Sequence, residues 1–149
     1  MKKLLLPAFI LFFALANAQG YWKQKKSIIQ KAYAVGFSIG TKGFIGTGAG
    51  AGSAKDLWEW DKTSNTWTQK ADCGGGERTE AIGFSIGTKG YIGTGLDGNG
   101  QNSKEFWEWD QITNVWTQKS DFAGEGRVGA VGFSIGNKGY IGVGGETIT

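Results

Sequence analysis

Histidine is missing from the 149 residues altogether, and cysteine, methionine and proline occur once each. The lack of histidine excludes imidazole-based acid–base catalysis, histidine triads and the usual zinc sets from this stretch. The single cysteine, Cys73, excludes an intrachain disulfide, so packing has to supply the stability. It stands in Asp72-Cys73-Gly74-Gly75-Gly76, which reads as an exposed loop carrying a tolerated thiol, with linkage of two chains as the alternative. Long apolar runs are scarce too. Leu4 to Leu15, interrupted only by Pro7, falls short of the roughly 20 residues a membrane-crossing helix needs. Preceded by Met1-Lys2-Lys3 and followed by Ala16-Asn17-Ala18, that run makes residues 1–18 a signal peptide cleaved after Ala18. The prediction is an exported protein, secreted, at the cell surface or in a periplasm.

A strong charge of one sign is also absent. The chain has 16 basic and 13 acidic side chains, and loss of Lys2 and Lys3 with the signal leaves 14 against 13. So even a balance offers no electrostatic footprint for nucleic acid or an anionic membrane, and neither a nucleic-acid partner nor a membrane span is expected.

Glycine and tryptophan are plentiful, with 27 and 7 residues, and their placement is periodic. GFSIGTKGFIGTG (36–48), GFSIGTKGYIGTG (83–95) and GFSIGNKGYIGVG (132–144) agree at ten of thirteen positions and start 47 and 49 residues apart. That period belongs to propeller blades and solenoids. Within Ala34–Gly40, Val35, Phe37 and Ile39 share one face and Gly36 and Ser38 the other, the period of two of a β-strand. A nearly bare face allows a neighbouring sheet to approach closely, which suits the innermost strand of a blade. Thr41-Lys42, Thr88-Lys89 and Asn137-Lys138, each followed by glycine, read as the turns into a second strand, Gly43–Thr47 in the first copy. Third strands follow at Leu57–Asp61 and Phe106–Asp110. Asp61/Asn65 and Asp110/Asn114 bracket the turns into fourth strands at Trp67 and Trp116. Tyr21–Lys25 matches those fourth strands, so the mature chain opens with the last strand of a blade.

Taken together, these elements resemble the kelch repeat of kelch and galactose-oxidase-like β-propellers. The carried features are a basic residue six positions before the repeat phenylalanine (Lys31, Arg78, Arg127), an aromatic followed by Ile-Gly in strand two, an aromatic-Asp pair closing strand three and Asn-x-Trp opening strand four. The chain departs in having Gly-Thr-Gly where the family has Gly-Gly, and Trp60 and Trp109 where tyrosine is commoner. The resemblance implies an all-β fold of four-stranded antiparallel blades: a fourth strand at 21–25, blades at 31–70 and 78–119, and a half blade at 127–149. Propellers close with four to eight blades, so three arrangements stay open. The expectation is the N-terminal part of a longer propeller. Alternatively, two chains complete each other's blades as a six-bladed homodimer, or the chain is an open fragment with exposed edges.

The galactose-oxidase copper site needs histidine and cannot be built from these residues, so no metal or cofactor is expected. Glu59/Glu108 and Asp61/Asp110 recur in register, which marks them as structural, because a site needs one constellation and not a copied ring. Trp22, Trp58, Trp60, Trp67, Trp107, Trp109 and Trp116 recur in the same way and are assigned to the core, with sugar stacking as the alternative. Each aromatic buries on the order of 150–250 Å², several kcal/mol at about 25 cal/mol per Å². The loop from Asp97 to Asn102 lacks the sixth-place glycine of a calcium loop, and Gly46-Thr47-Gly48 leads into no helix that would cradle a phosphate.

Antiparallel order places the short turns on one side and the long, variable links on the other, and binding surfaces favour variable loops on a rigid frame. That side nominates Glu77, Arg78, Asp97, Asn99 and Arg127 as ligand-facing, with Arg78 and Arg127 equally open to a structural role. The functional expectation is a non-catalytic module binding a protein or glycan. Its competitors are the scaffold part of a sugar-acting propeller enzyme whose active residues lie beyond Thr149, and a purely structural role in a larger secreted protein.

Overall fold

The computed structural model describes residues 23–52 and 54–145. The predicted signal peptide and the Tyr21-Trp22 start of the first predicted strand lie outside them, and residues 23–30 form no regular structure. The rest is all-β, as the alternation predicts. In chain order the strands are β1 (Lys31–Ala32), β2 (Val35–Ile39), β3 (Lys42–Gly46), β4 (Ala49–Gly50), β5 (Leu57–Asp61), β6 (Thr66–Gln69), β7 (Arg78–Thr79), β8 (Ile82–Ile86), β9 (Lys89–Gly93), β10 (Leu96–Asp97), β11 (Phe106–Asp110), β12 (Val115–Lys119), β13 (Val131–Ile135) and β14 (Lys138–Gly142). Two four-stranded antiparallel sheets, β2-β3-β5-β6 and β8-β9-β11-β12, are followed by the two-stranded β13-β14, and the ribbons β1-β4 and β7-β10 extend one side.

The first turns sit one residue earlier than the sequence suggested. Ile39 pairs with Lys42 across Gly40-Thr41, and the glycines with positive φ are Gly40, Gly87 and Gly136 (+57°, +59° and +61°), which open the turns. Lys42 is thus a strand residue, and its ladder places it opposite Asp61. The turns into the fourth strands follow expectation. The Asp61 carboxylate accepts the Thr63 and Ser64 amides at 2.7 and 3.2 Å, and the Asp110 carboxylate those of Ile112 and Thr113. Asn65 and Asn114 take φ near +54° and +58°, a conformation that asparagine tolerates better than most residues.

The sheets approach one another most closely along their first strands, β2 on β8 and β8 on β13, so they fan like propeller blades. The bare faces make this possible. A Cβ on Gly83 would lie 2.9 Å from Val35, and one on Gly90 2.6 Å from the Phe37 ring. The same joint recurs where Gly132 and Gly139 meet Ile82 and Phe84. Between the first two sheets, Ile39, Phe44 and Leu57 pack on Trp109, the Phe44 and Trp109 rings meeting edge-on at 5.2 Å. Trp109 is wholly buried, and Trp116 packs beside it.

Cys73 overturns the reading of its segment as an exposed loop. It is buried with Val35 and Ile92, burial pushes its thiol pKa up, and its amide donates to the Lys55 carbonyl at 2.6 Å. A thiol in that place is closed to linkage between chains. Phe122 holds the equivalent position, its amide donating to Lys104 at 2.8 Å. The glycines that suggested a loop serve packing instead, since a Cβ on Gly75 would come within 2.6 Å of the Trp107 indole nitrogen. The segment after each fourth strand is therefore a plug laid across the next sheet. Asn114 and Trp116 hold it by accepting the Ala71 amide and donating to the Ala71 carbonyl, both at 3.0 Å. Asn65 and Trp67 hold Lys26 in the same way, at 3.4 and 2.8 Å.

Candidate functional site

The side bearing the long links is built from the two ribbons. Pairing of Asp97 with Arg78 sets Glu77, Arg78 and Asp97 side by side, with the exposed Asn99 in the loop that follows. Glu77 is exposed, its Cβ 3.4 Å from where a Gly98 Cβ would stand. The Asp97 carboxylate accepts the amides of Asn99 and Gln101 at 2.8 and 2.9 Å. These bonds, that of Gln101 foremost, hold its pKa below the usual carboxylate range. Asp97 shapes the loop, and Asn99 and Glu77 are what the loop displays.

Arg78 does not face a ligand. It is 1% exposed, with its guanidinium donating to the Thr94 and Gly75 carbonyls at 2.7 and 3.3 Å and pairing with Glu105 at 2.8 Å. The first blade repeats the unit as Lys31 and Asp56, 2.7 Å apart with both side chains 3% exposed. Trp58 donates to Asp56 and Trp107 to Glu105. Arg127 adopts the corresponding pose, donating to the Val143 carbonyl at 3.0 Å with its guanidinium 4.5 Å from the Phe122 ring centre, and it makes no ion pair among the described residues. Of the five nominated residues, Glu77, Asp97 and Asn99 gather at one ribbon. Arg78 is turned inward, and Arg127 belongs to the next blade, its carbonyl accepting the Gly95 amide at 2.8 Å.

The repeated carboxylates of the third strands are engaged with bases. Glu59 meets Lys42 and Lys70 at 2.7 and 2.9 Å, and Lys42 also meets Asp61 at 2.9 Å. Burial alone would raise the Glu59 pKa, but the bonds from the two lysines outweigh it and the net shift is downward. Asp61 is lowered to about 2, first by Lys42 and then by its turn amides. In the second blade Asp110 pairs with Lys89, and Glu108 accepts the Tyr91 hydroxyl at 2.7 Å, with Lys119 3.4 Å away. Burial, then the bond to Glu108, pushes Tyr91 up to about 12. The raised pKa means the protonated phenol stabilises the fold below the ordinary value of about 10, and that contribution is lost as pH rises toward about 12. The stability advantage over Tyr91→Phe should therefore shrink between those pH values. Denaturant midpoints at each pH check this, and a constant difference would contradict the Tyr91–Glu108 bond.

Two features of this side were not found by sequence reasoning. Tyr33 is 65% exposed at φ +56°, and Glu80 occupies the same place in the next blade at φ +54°, its amide donating to the Tyr33 carbonyl at 3.1 Å. Both stand just ahead of the first strands, at the narrow edge of the fan. The signal available was Gly129 in the third copy, at φ +61°, because glycine marks a left-handed backbone that other residues adopt only at a cost.

A separate apolar groove of about 390 Å³ lies on the first sheet's outward face, lined among others by Gly36, Gly43, Ile45, Trp60 and Trp67. Lys25 stands 5.8 Å from the Trp60 ring centre at its rim. Trp58, Trp60 and Trp67 are half-buried on this face, whereas Trp109 and Trp116 occupy the joint between sheets and Trp107 lies under the Gly74-Gly75 plug; Trp22 lies outside the described residues. Among the described residues no cluster of acids and cysteine that would hold a metal occurs, and no helix is long and apolar enough to cross a membrane.

No family model matches the chain, and no curated protein does. Among solved structures the chain is similar to that of YjhT, with a TM-score of 0.64 at 23% identity over 79% of this chain. The match spans 35% of the YjhT chain, and at that identity the likeness is one of fold.

Proposed function

We propose that this chain is a kelch-type propeller segment that acts outside the cytoplasm as a non-catalytic recognition module, holding a protein or glycan against its long-loop side. The observation that carries the reading is the display on that side. Tyr33 offers an exposed ring, Glu77 and Asn99 are exposed on the same side, and the repeated carboxylates are already occupied by bases. An aromatic ring, an amide and a carboxylate exposed on one side suit a sugar face or a polar peptide.

The purified chain should bind a restricted set of ligands on glycan and surface-protein arrays. Tyr33→Ala and Asn99→Ala should each weaken that binding about tenfold, the loss expected of one well-placed contact. Lys62→Ala, in an exposed turn on the opposite side, should leave it unchanged. Absence of any binding, or equal weakening by the Lys62 variant, would overturn the proposal.

A further inference from the structure

The loop that closes the second ribbon holds a pair of residues with a chemistry of its own. Of Asn17, Asn65, Asn99, Asn102, Asn114 and Asn137, only Asn99 is followed by glycine. An asparagine is labile where the next backbone nitrogen can reach its side-chain carbonyl carbon, and glycine hinders that approach least, having no Cβ and the widest choice of backbone angles. Asn99 and Gly100 are both exposed. Gly100 takes φ +75°, and a Cβ placed on it would meet nothing within 4 Å.

The other described asparagines are built in. The side-chain oxygen of Asn65 accepts the Lys26 amide, that of Asn114 accepts the Ala71 amide and the Trp109 indole, and the branched residues Thr66 and Val115 follow them. Asn102 is fixed in a bridge to Leu96, with its carbonyl laid against Gly126. Asn137 precedes Lys138, whose backbone belongs to the β13–β14 ladder opposite Ile135. Asn99 has a restraint of a different kind. The Gly100 amide donates to the Asp97 carbonyl at 3.0 Å, the Asn99 and Gln101 amides to the Asp97 carboxylate at 2.8 and 2.9 Å, and the Asp97 amide to the Gln101 carbonyl at 3.0 Å. The Asn99 side-chain amide bonds the same carboxylate. The attacking nitrogen must therefore leave its acceptor before it can turn on Asn99 Cγ, and the carboxylate beside it opposes the negative charge it gains as its proton departs.

We propose that Asn99 is a site of spontaneous deamidation whose rate is set by the Asp97 clasp. The Gly100 nitrogen forms a bond to Asn99 Cγ, its proton passes through water to the side-chain nitrogen, and ammonia departs, leaving a five-membered imide. Water then opens the ring. Attack at Cγ gives aspartate, and attack at the main-chain carbonyl gives isoaspartate, whose main chain is longer by a methylene. One water replaces one ammonia, and nothing is oxidised or reduced. Either product puts a carboxylate where the amide stood, on the ribbon that already carries Glu77 and Asp97, so the display on the long-loop side gains a negative charge with time.

The test is to hold the full chain in mildly alkaline buffer at body temperature, digest samples with trypsin and follow the mass gain of amide-to-acid conversion. Cleavage after Lys89 and Lys104 releases both Asn99 and Asn102 in one peptide, and fragment masses separate the two. Conversion should accumulate at Asn99 ahead of every other asparagine. Asp97→Ala should quicken it about tenfold, the worth of one charge-assisted hydrogen bond. Asp97→Ser, whose hydroxyl holds such turns more weakly, should fall between the two. Gly100→Ala, at an open position, should slow it by adding a side chain to the attacking residue. The mass readout needs no ligand, so it stands apart from the recognition reading. Conversion elsewhere ahead of Asn99 overturns the proposal, and so does an Asp97→Ala rate equal to that of the native chain.

Discussion

Replacing Asp56 by alanine should remove about 3–5 kcal/mol of stability, the cost of breaking a buried ion pair by deleting one partner. Asp56 and Lys31 are 2.7 Å apart and almost completely shielded from water, so the substitution leaves the ammonium in a low-dielectric setting without its carboxylate. It also deprives the Trp58 indole of its acceptor, now at 2.9 Å. Asp61→Ala deletes the same group from a solvent-screened turn and should cost far less. Changing both Lys31 and Asp56 to apolar residues should recover most of the loss. Denaturant unfolding of the four proteins decides it. Equal effects at positions 56 and 61 would show that the pair is solvated and that the blade does not depend on it.

Gly95→Ala should be comparably damaging, costing about 3 kcal/mol or more, with strain at an unfavourable φ and overpacking acting together. Gly95 has φ +83°, and an added Cβ would lie 2.7 and 2.8 Å from the Ala81 amide nitrogen and Cα. Those are main-chain atoms of the link between β7 and β8 in the same blade and cannot swing aside. The Gly95 amide also carries the tie to Arg127. Gly100→Ala separates the two causes, because Gly100 has φ +75° but open space around it, and should cost about 1 kcal/mol from backbone conformation alone. If the two variants melt together, crowding against the β7–β8 link contributes nothing measurable.

The sheets were legible because their signals are local. Alternation of Val35, Phe37 and Ile39 with small residues, and the Asp61…Asn65 bracket, each act within a few residues and in the ladder that those residues form. The bare face even announced that a neighbour would lie on it. What was not legible depends on residues far apart in sequence. Asp72-Cys73-Gly74-Gly75-Gly76 has the composition of an exposed loop, and only the arrival of Val35 and Ile92 buries Cys73 while Trp107 packs on its glycines. Arg78 looked like a ligand-facing cation because its carboxylate partner, Glu105, is 27 residues away. Lys42 was placed in a turn because the glycine after it drew attention from the glycine before it. The exposed Tyr33 was passed over because its distinguishing property is a backbone angle, which a sequence reports only where another copy of the repeat holds glycine.

The plug that follows each fourth strand has one more implication. Lys26 and Ala71 are clasped by side chains of the sheet that comes after them, so the piece of chain that is self-sufficient does not coincide with a sheet. Its natural boundary falls about ten residues before the first strand of each sheet, just past the preceding fourth strand, and it carries the tail of its predecessor as part of its own surface. Gene duplication or engineering that splices such proteins immediately before a first strand would sever the clasp, whereas cuts between a fourth strand and the tail that follows it would give modules that can be shuffled intact.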